Sequence, residues 1–529
     1  MDIASTLALL TGVDIPSQSV GALMESVVTK YTKSDQLEIL KHNVIQLQRV
    51  TRHVGVSTTG DDFVEAAFGI DASDDDGVTR ARQLCGEASD IFQQVLVNQS
   101  SNYDMYQIIA SIFTMILLFV ATPHASILRP DSSFIFILLL NIGIHLLVCS
   151  EFYESDMCAC SLETIIKIVF LILTLSFCLH IILTSKLSLF KNYFFCKRRI
   201  SVIVFLTTVT SIISLSSSSF VEEEHQTHYF VFVTNLLVII FELWSLNVTQ
   251  NILLILTLHR VLRNMNQTGD KWKHLPDLKD YLQNPELDFL KKTLFILSVF
   301  LLQMMTYRRS KQILSKIIQF AIFSCIIIQK FAAFPVIIEQ ICLVLIILNI
   351  FVKVKNREEK LFEAILFLAL FVHCDINTIS IFLLTCQVKL FLPLLEFLDP
   401  FESSLLILNF MKVAFFYFGN SNSIATIDAG AGFKALNEYN PKHVGALLAI
   451  HVYSGPLIVA TSCSSKNYIF KFVKLKYFVI LFEMLLFCII CTLMRHHLFV
   501  WTVFSPKLLY IGMNLIVYSS LSMLLFLCQ

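Results

Sequence analysis

From about residue 106 onward the chain is a ladder of long apolar runs, and this restricts the possible folds more than any other feature. Runs recur near 106–122, 133–150, 164–184, 200–216, 229–247, 250–263, 293–306, 313–330, 336–352, 361–376, 378–397, 403–418, 443–461, 475–493 and 509–527. A helix needs about 20 residues to cross the bilayer core. The expected fold is therefore an all-α polytopic membrane protein, a multi-helix transmembrane bundle of about 12 to 15 spans, with the shorter runs packed inside it as half-helices or tilted partners.

Composition agrees. Of 529 residues 56% are hydrophobic and only 15% charged, with a mean hydropathy of +0.70, outside the range of a soluble globular domain. The 40 basic and 40 acidic residues cancel, which gives no reason to expect nucleic acid as a partner. The basic residues sit in short clusters between the runs, where they set topology. If the first hundred residues are lumenal, Lys186 to Arg199, Arg308 to Lys311, Lys353 to Lys360 and Lys466 to Lys474 all fall on the cytosolic side. That assignment requires two spans between 229 and 263, and the loop 264–292, with Lys271, Lys273 and Lys279, is its exception. The 14 cysteines lie mostly within apolar segments, where they are expected to be small packing residues. Cys158 and Cys160 are too close to bridge to each other, and neither is read as a metal ligand.

The first hundred residues are of mixed polarity and show no signal-peptide pattern. Leu37, Leu40, Val44 and Leu47 recur at helical spacing behind a possible cap at Ser34 or Asp35, and Leu84, Ala88, Ile91 and Val95 repeat the pattern. Both stretches predict amphipathic helices. The acidic "GIDASDDDGV" between them fails as a calcium loop, because Ala72 and Gln83 occupy positions that need carboxylates.

Chemistry concentrates in three places. In "FFYFGNSNSIATIDAGAGF" the aromatics give way to Gly419, Asn420, Ser421, Asn422 and Ser423, with Asp428 following. Asn420, Asn422 and Ser423 offer amides and a hydroxyl suited to phosphate or sugar groups; the plainer alternative is a turn and cap leading into the next helix. Arg495 and His496, with His497 and Trp501, form a cationic cluster that suits a lipid headgroup or an interfacial anchor. "NQTGDKWKHLPDL", residues 266–278, is a structured loop whose Asn266 opens a glycosylation triplet, usable only if lumenal; Asn98 in "NQS" opens another. None of these is a catalytic triad, a phosphate loop or a metal-ligand spacing.

Four separated motifs in one order, "NQTGDKW" at 266–272, "FGNSNSIATIDAGAGF" at 418–433, "YSGP" at 453–456 and "RHHLFVWTVFSPKLLY" at 495–510, resemble the membrane half of the glycosylphosphatidylinositol (GPI) ethanolamine phosphate transferases. "DIASTLALLTGVDIPSQSVG", residues 2–21, looks like the segment that closes that family's lumenal catalytic domain. The resemblance implies a division into 1–30, the end of an alkaline-phosphatase-like catalytic domain; 31–105, an amphipathic helical linker; and 106–529, the multi-pass transmembrane domain.

It also implies transfer of phosphoethanolamine from phosphatidylethanolamine to a mannose of the GPI precursor, the second mannose in the branch matched best, at the endoplasmic reticulum membrane. A small stabilising membrane subunit is the implied protein partner. The family works with two zinc ions and a Thr nucleophile, whose ligands precede the segment matched by residues 2–21. The first hundred residues hold only His42 and His53 as histidines, so this chain is expected to carry no catalytic or metal residue and to be inactive alone. In the intact enzyme the membrane half would present both lipids at a lumenal mouth lined by Asn420, Asn422, Ser423, Asp428, Arg495 and His496. The other classes open to such a chain are a lipid transporter, for which no internal repeat is found, and a non-catalytic assembly subunit.

Overall fold

The computed structural model describes residues 2–53, 59–70, 75–100, 103–122, 132–151, 158, 162–184, 199–214, 224–266, 277–309, 312–331, 336–352, 357–422, 424–464, 469–495 and 500–528. Every regular element among them is helical, and the chain divides into two units, Met1–Met105 and Tyr106–Gln529.

The first unit holds α1 (Ile3–Thr11), α2 (Glu25–Val28), α3 (Lys33–His53), α4 (Gly60–Gly69) and α5 (Asp75–Ser100). Helices α3 and α5 are the two amphipathic helices expected. On α3, Val44 and Leu47 are fully buried. Its cap is Thr32, upstream of both residues proposed: the Asp35 amide donates to Thr32 Oγ1 at 3.4 Å, and the Thr32 hydroxyl donates to the Asp35 carboxylate at 2.6 Å. On α5 the buried stripe is Ala81, Cys85, Ala88, Phe92 and Leu96, turned by one residue from the expected stripe except at Ala88. The small side chains at 81, 85 and 88 let the neighbouring helices approach. Gln46 donates to the Ser19 carbonyl at 2.7 Å and Gln93 to the Asp2 carboxylate at 2.7 Å, so the segment before α3 is tied to α3 and α5 within one unit.

The second unit contains α6 (Met105–Ala121), α7 (Ser132–Glu151), α8 (Leu162–Thr184), α9 (Arg199–Ser214), α10 (Glu224–Glu242), α11 (Leu246–Met265), α12 (Leu278–Gln283) and α13 (Asp288–Arg309). It continues with α14 (Ile313–Phe331), α15 (Ile337–Phe351), α16 (Arg357–Val372), α17 (Asp375–Phe391), α18 (Pro400–Phe416), α19 (Pro441–Ser464), α20 (Ile469–Leu493) and α21 (Ser505–Cys528). Each apolar run of the sequence is met by a helix. Seven helices among the described residues are long and apolar enough to cross a membrane by length and composition, and four shorter apolar helices accompany them. The stretch 229–263 is two helices: α10 ends at Glu242, and Ser245 caps α11 by accepting from the Val248 amide at 3.4 Å.

Helix α18 is the centre of the bundle. Its residues from Glu402 to Phe416 are buried on nearly every face, as a helix surrounded by others must be; α9, α10, α19 and α20 pack around it. Helix α7, by contrast, exposes Phe136, Leu139, Leu140 and Leu147, an apolar surface suited to lipid.

Successive helices alternate in direction, which gathers particular residues at one end. Asn266, just past α11, donates to Asn377 in the first turn of α17 at 3.2 Å and to the Tyr417 carbonyl at the end of α18 at 3.0 Å. Glu224 at the start of α10 pairs with Lys507 at the start of α21 at 2.5 Å. We call this the polar end. The cysteines bring one correction: Cys149, in the last turn of α7, is disulfide-bonded to Cys158 with their Cα atoms 5.5 Å apart, within ordinary bridging distance.

Candidate functional site

The Gly/Asn/Ser stretch caps α18 and ties it to α19. Gly419 takes φ +82, a left-handed conformation open to glycine without strain, and reverses the chain. Asn420 then turns inward, 3% exposed, and its amide donates to the carbonyls of Phe415 and Val452, each at 3.0 Å. Proline at 456 has no N–H and so cannot serve Val452, four residues before it, as a helical residue would. The Asn420 amide takes that place.

The second motif, "YSGP", lies on α19, and each of its residues has a task. The Tyr453 hydroxyl donates to the Tyr510 carbonyl at 2.8 Å. Ser454 Oγ lies 2.7 Å from His373 Nε2. At Gly455 an added Cβ would stand 2.2 Å from the Ala414 carbonyl oxygen, so only glycine lets α19 approach α18 this closely. Pro456 lines a cleft between α18 and α20.

Below the turn lies a polar network. His373 stacks on Phe418 and lies tilted against His451, with ring centroids 4.9 and 4.3 Å apart, and is 3.3 Å from the Asn377 amide. The Tyr417 hydroxyl meets His259 Nδ1 at 2.6 Å and accepts from Gln387 at 3.3 Å. Two lysines close the carboxyl end of α16: Lys330 donates to the His373 carbonyl, and Lys434 to those of Phe371 and Val372 at 2.7 and 3.0 Å, where helix carbonyls favour a cation. Burial, with Lys330 beside it, pulls Lys434 down to about 7.

The cleft itself encloses about 90 Å³ and is lined from α10 by His228, from α18 by Lys412 and Phe415, from α20 by Val479 and Glu483, and from α21 by Tyr510 and Asn514. Lys412 and Glu483 form an ion pair on its wall. Asn422 reaches the cleft and donates to Glu224, which pairs with Lys507.

Of the described residues expected to line a mouth, Asn422 alone lines the cleft. Asn420 is corrected to a cap and staple. Asp428 is exposed and accepts from the Gly430 amide at 3.0 Å, closing a short 3-10 turn. Arg495 donates to the Thr492 carbonyl at 3.0 Å, at the end of α20. Ser423 and His496 lie outside the described residues. Asn266, 4% exposed, spends its amide inside the protein, a structural role that leaves no room for a glycan. Asn98 falls in the last turn of α5. Among the described residues no group of three or more His, Cys, Asp or Glu is placed to hold a metal ion.

Sequence reasoning passed over Lys412, Glu483, Glu224 and Lys507. A signal existed for the first two. Each is an isolated charge within an apolar run, "NFMKVAFF" and "ILFEMLLF", and such a residue marks a functional position by default.

Fold and cleft together define a polytopic α-helical membrane protein with a Lys–Glu pair on the wall of a cleft inside its bundle. The family model described as "GPI ethanolamine phosphate transferase membrane region" matches residues 165–337 and 330–528, and the chain belongs to that family. Among curated proteins, it is 31% identical over 345 residues to GPI ethanolamine phosphate transferase 2 of Schizosaccharomyces pombe, covering 61% of this chain and 42% of that one. It is 24% identical over 655 aligned positions to "GPI ethanolamine phosphate transferase 2, catalytic subunit" of Homo sapiens, covering 98% and 66%. The Kluyveromyces lactis protein of the same type is 27% identical over 351 residues, covering 58% and 43%. The chain thus spans between about two fifths and two thirds of the length of these relatives. No solved structure matches it.

Proposed function

We propose that this membrane region serves phosphoethanolamine transfer from phosphatidylethanolamine to the second mannose of the GPI precursor, by presenting lipid substrates at a lumenal face of the endoplasmic reticulum membrane. The observation that carries the reading is the pairing of charged residues at the cleft: Lys412 with Glu483 on its wall, Glu224 with Lys507 toward the polar end. Charges buried among membrane helices are costly and persist where a substrate path or a fixed partner uses them.

Support for the orientation comes from the Cys149–Cys158 disulfide, since such bonds persist in oxidising compartments. Tyr106 at the start of α6 meets His145 near the end of α7, and Phe119 at the other end of α6 packs on Phe478 in the first half of α20, which supports both cysteines lying at the same end as Asn422. The human relative's name marks it as one subunit of an assembly, which supports a small membrane partner for this chain as well.

The test is a chimera in which residues 106–529 replace the membrane region of the Schizosaccharomyces pombe relative, expressed in cells lacking that relative. Restored phosphoethanolamine on GPI precursors is the expected result. A stable, correctly inserted chimera that restores none overturns the reading.

A further inference from the structure

Among the described residues the bundle holds three largely buried Lys–Glu pairs, of which Lys360–Glu363 and Lys412–Glu483 differ in one respect. Lys360, on α16, places its ammonium on Ser315 at 2.5 Å, Asn349 at 3.3 Å and Glu363 at 2.7 Å. An ammonium has three donors, so that site is closed. Lys412, on α18, has Glu483 as its only hydrogen-bond partner among the described residues, and both line the cleft. Two of its donors therefore remain for whatever occupies the cavity. Glu483, 4% exposed, brings a carboxylate to the same wall, and Asn514 Oδ1 is buried there without a partner among the described residues.

This arrangement discriminates by charge. A simple anion would satisfy Lys412 and be repelled by Glu483; a simple cation would meet the reverse. A group carrying both signs satisfies both, and a buried ion pair is tolerated only when its remaining donors and acceptors are met. A primary ammonium also donates hydrogen bonds to Glu483 and Asn514, whereas a quaternary ammonium has no N–H to offer.

A second chamber of about 190 Å³ is lined by Phe205 and Leu405 and, from α20, by Phe478 and Phe482. Val479 lines both spaces. A chamber with an ion pair on its wall and an apolar one thus share Val479 on the seam between α18 and α20, the layout of a single amphiphile.

We infer that this seam binds one phospholipid whose headgroup carries a phosphate and a primary amine. The phosphate sits on Lys412, the amine on Glu483, and an acyl chain lies in the chamber beyond Val479. Treating this lipid as a substrate rather than a resident lipid rests on the proposed function.

The test uses the detergent-purified chain and native mass spectrometry with phosphatidylethanolamine, phosphatidylcholine and phosphatidylglycerol of identical acyl chains. Retention of phosphatidylethanolamine over the other two by at least about tenfold is expected, the size of one charge-assisted hydrogen bond. Lys412→Met with Glu483→Met removes both charges, leaves none orphaned, and should collapse that preference, while Lys360→Met with Glu363→Met should keep it.

Should the first double variant fail to fold, a phosphatidylethanolamine bearing a diazirine on its acyl chain decides. It should label peptides around Phe205 and Phe482, and Val479→Trp should abolish that label. Equal retention of the three lipids, or labelling confined to the outer surface of the bundle, overturns the inference. Selective binding together with unimpaired transfer by cleft variants of the chimera would keep this site and overturn the proposed function. Lost transfer without selective binding would do the reverse.

Discussion

Asn420 donates its side-chain amide to the carbonyl of Val452 at 3.0 Å, the carbonyl that Pro456 leaves without a helical donor. Two motifs far apart in sequence are therefore two halves of one joint. Asn420→Ala should orphan this carbonyl and that of Phe415, at about 1–3 kcal/mol for each buried group, and lower the thermal stability of the purified protein. Pro456→Ala restores a backbone N–H at the position Val452 needs. In the Asn420→Ala background it should recover at least about 1 kcal/mol. Additive effects of the two changes in a double-mutant cycle would disprove the joint.

Close helix approach gives a second test. Gly455→Ala puts a Cβ against the Ala414 carbonyl, whereas Gly445, on the same helix, has nothing within 4 Å of an added Cβ. Gly455→Ala should cost about 1–3 kcal/mol through overpacking. Gly445→Ala should be neutral or stabilising by up to about 1 kcal/mol through helix propensity. Similar melting temperatures for the two variants would contradict the close contact.

Lys434 should make stability depend on pH in a defined direction. Its folded value is held at about 7 against an ordinary 10.5, so between those values the unfolded chain binds more protons than the folded one. Stability from this group is then full above 10.5, falls as pH drops toward 7, and is flat below. Melting of wild type and Lys434→Met compared from about pH 7 to 9.5 should show wild type gaining on the variant as pH rises. Parallel curves would exclude a depressed Lys434.

Orientation is open to labelling at Cys374, an exposed free cysteine in the turn between α16 and α17 at the polar end. In sealed microsomes with the cytosolic face outward, a membrane-impermeant maleimide should modify Cys374 only after permeabilisation, with Cys374→Ser as the control. Modification in intact microsomes would invert the proposed topology.

The bundle was legible in the sequence because hydropathy reports directly on the solvent a helix faces: each apolar run became a helix, and the caps at Thr32 and Ser245 moved boundaries by only a few residues. The site was legible only in part. Gly419, Asn420 and Asn422 announced a specialised segment by residue type, yet type alone does not say which way a side chain turns. Asn420 turns inward to serve Val452, and Asn422 reaches the cleft. His373 and Ser454 are brought together from positions 81 residues apart, which no local pattern reveals. Lys412 and Glu483 were visible as lone charges in apolar runs, but their pairing and the cavity beside them arise only when α18 packs against α20.

The most direct measurement of the account is phosphoethanolamine transferred to GPI precursor per folded molecule of the chimera, with and without Lys412→Met and Glu483→Met. The cleft variant should insert and fold but lose at least about tenfold in transfer per molecule, equivalent to about 1.4 kcal/mol of lost stabilisation. The Lys360→Met and Glu363→Met variant should at most lower the amount of protein. Undiminished transfer per folded molecule in the Lys412 and Glu483 variant would contradict the claim that this cleft handles the lipid.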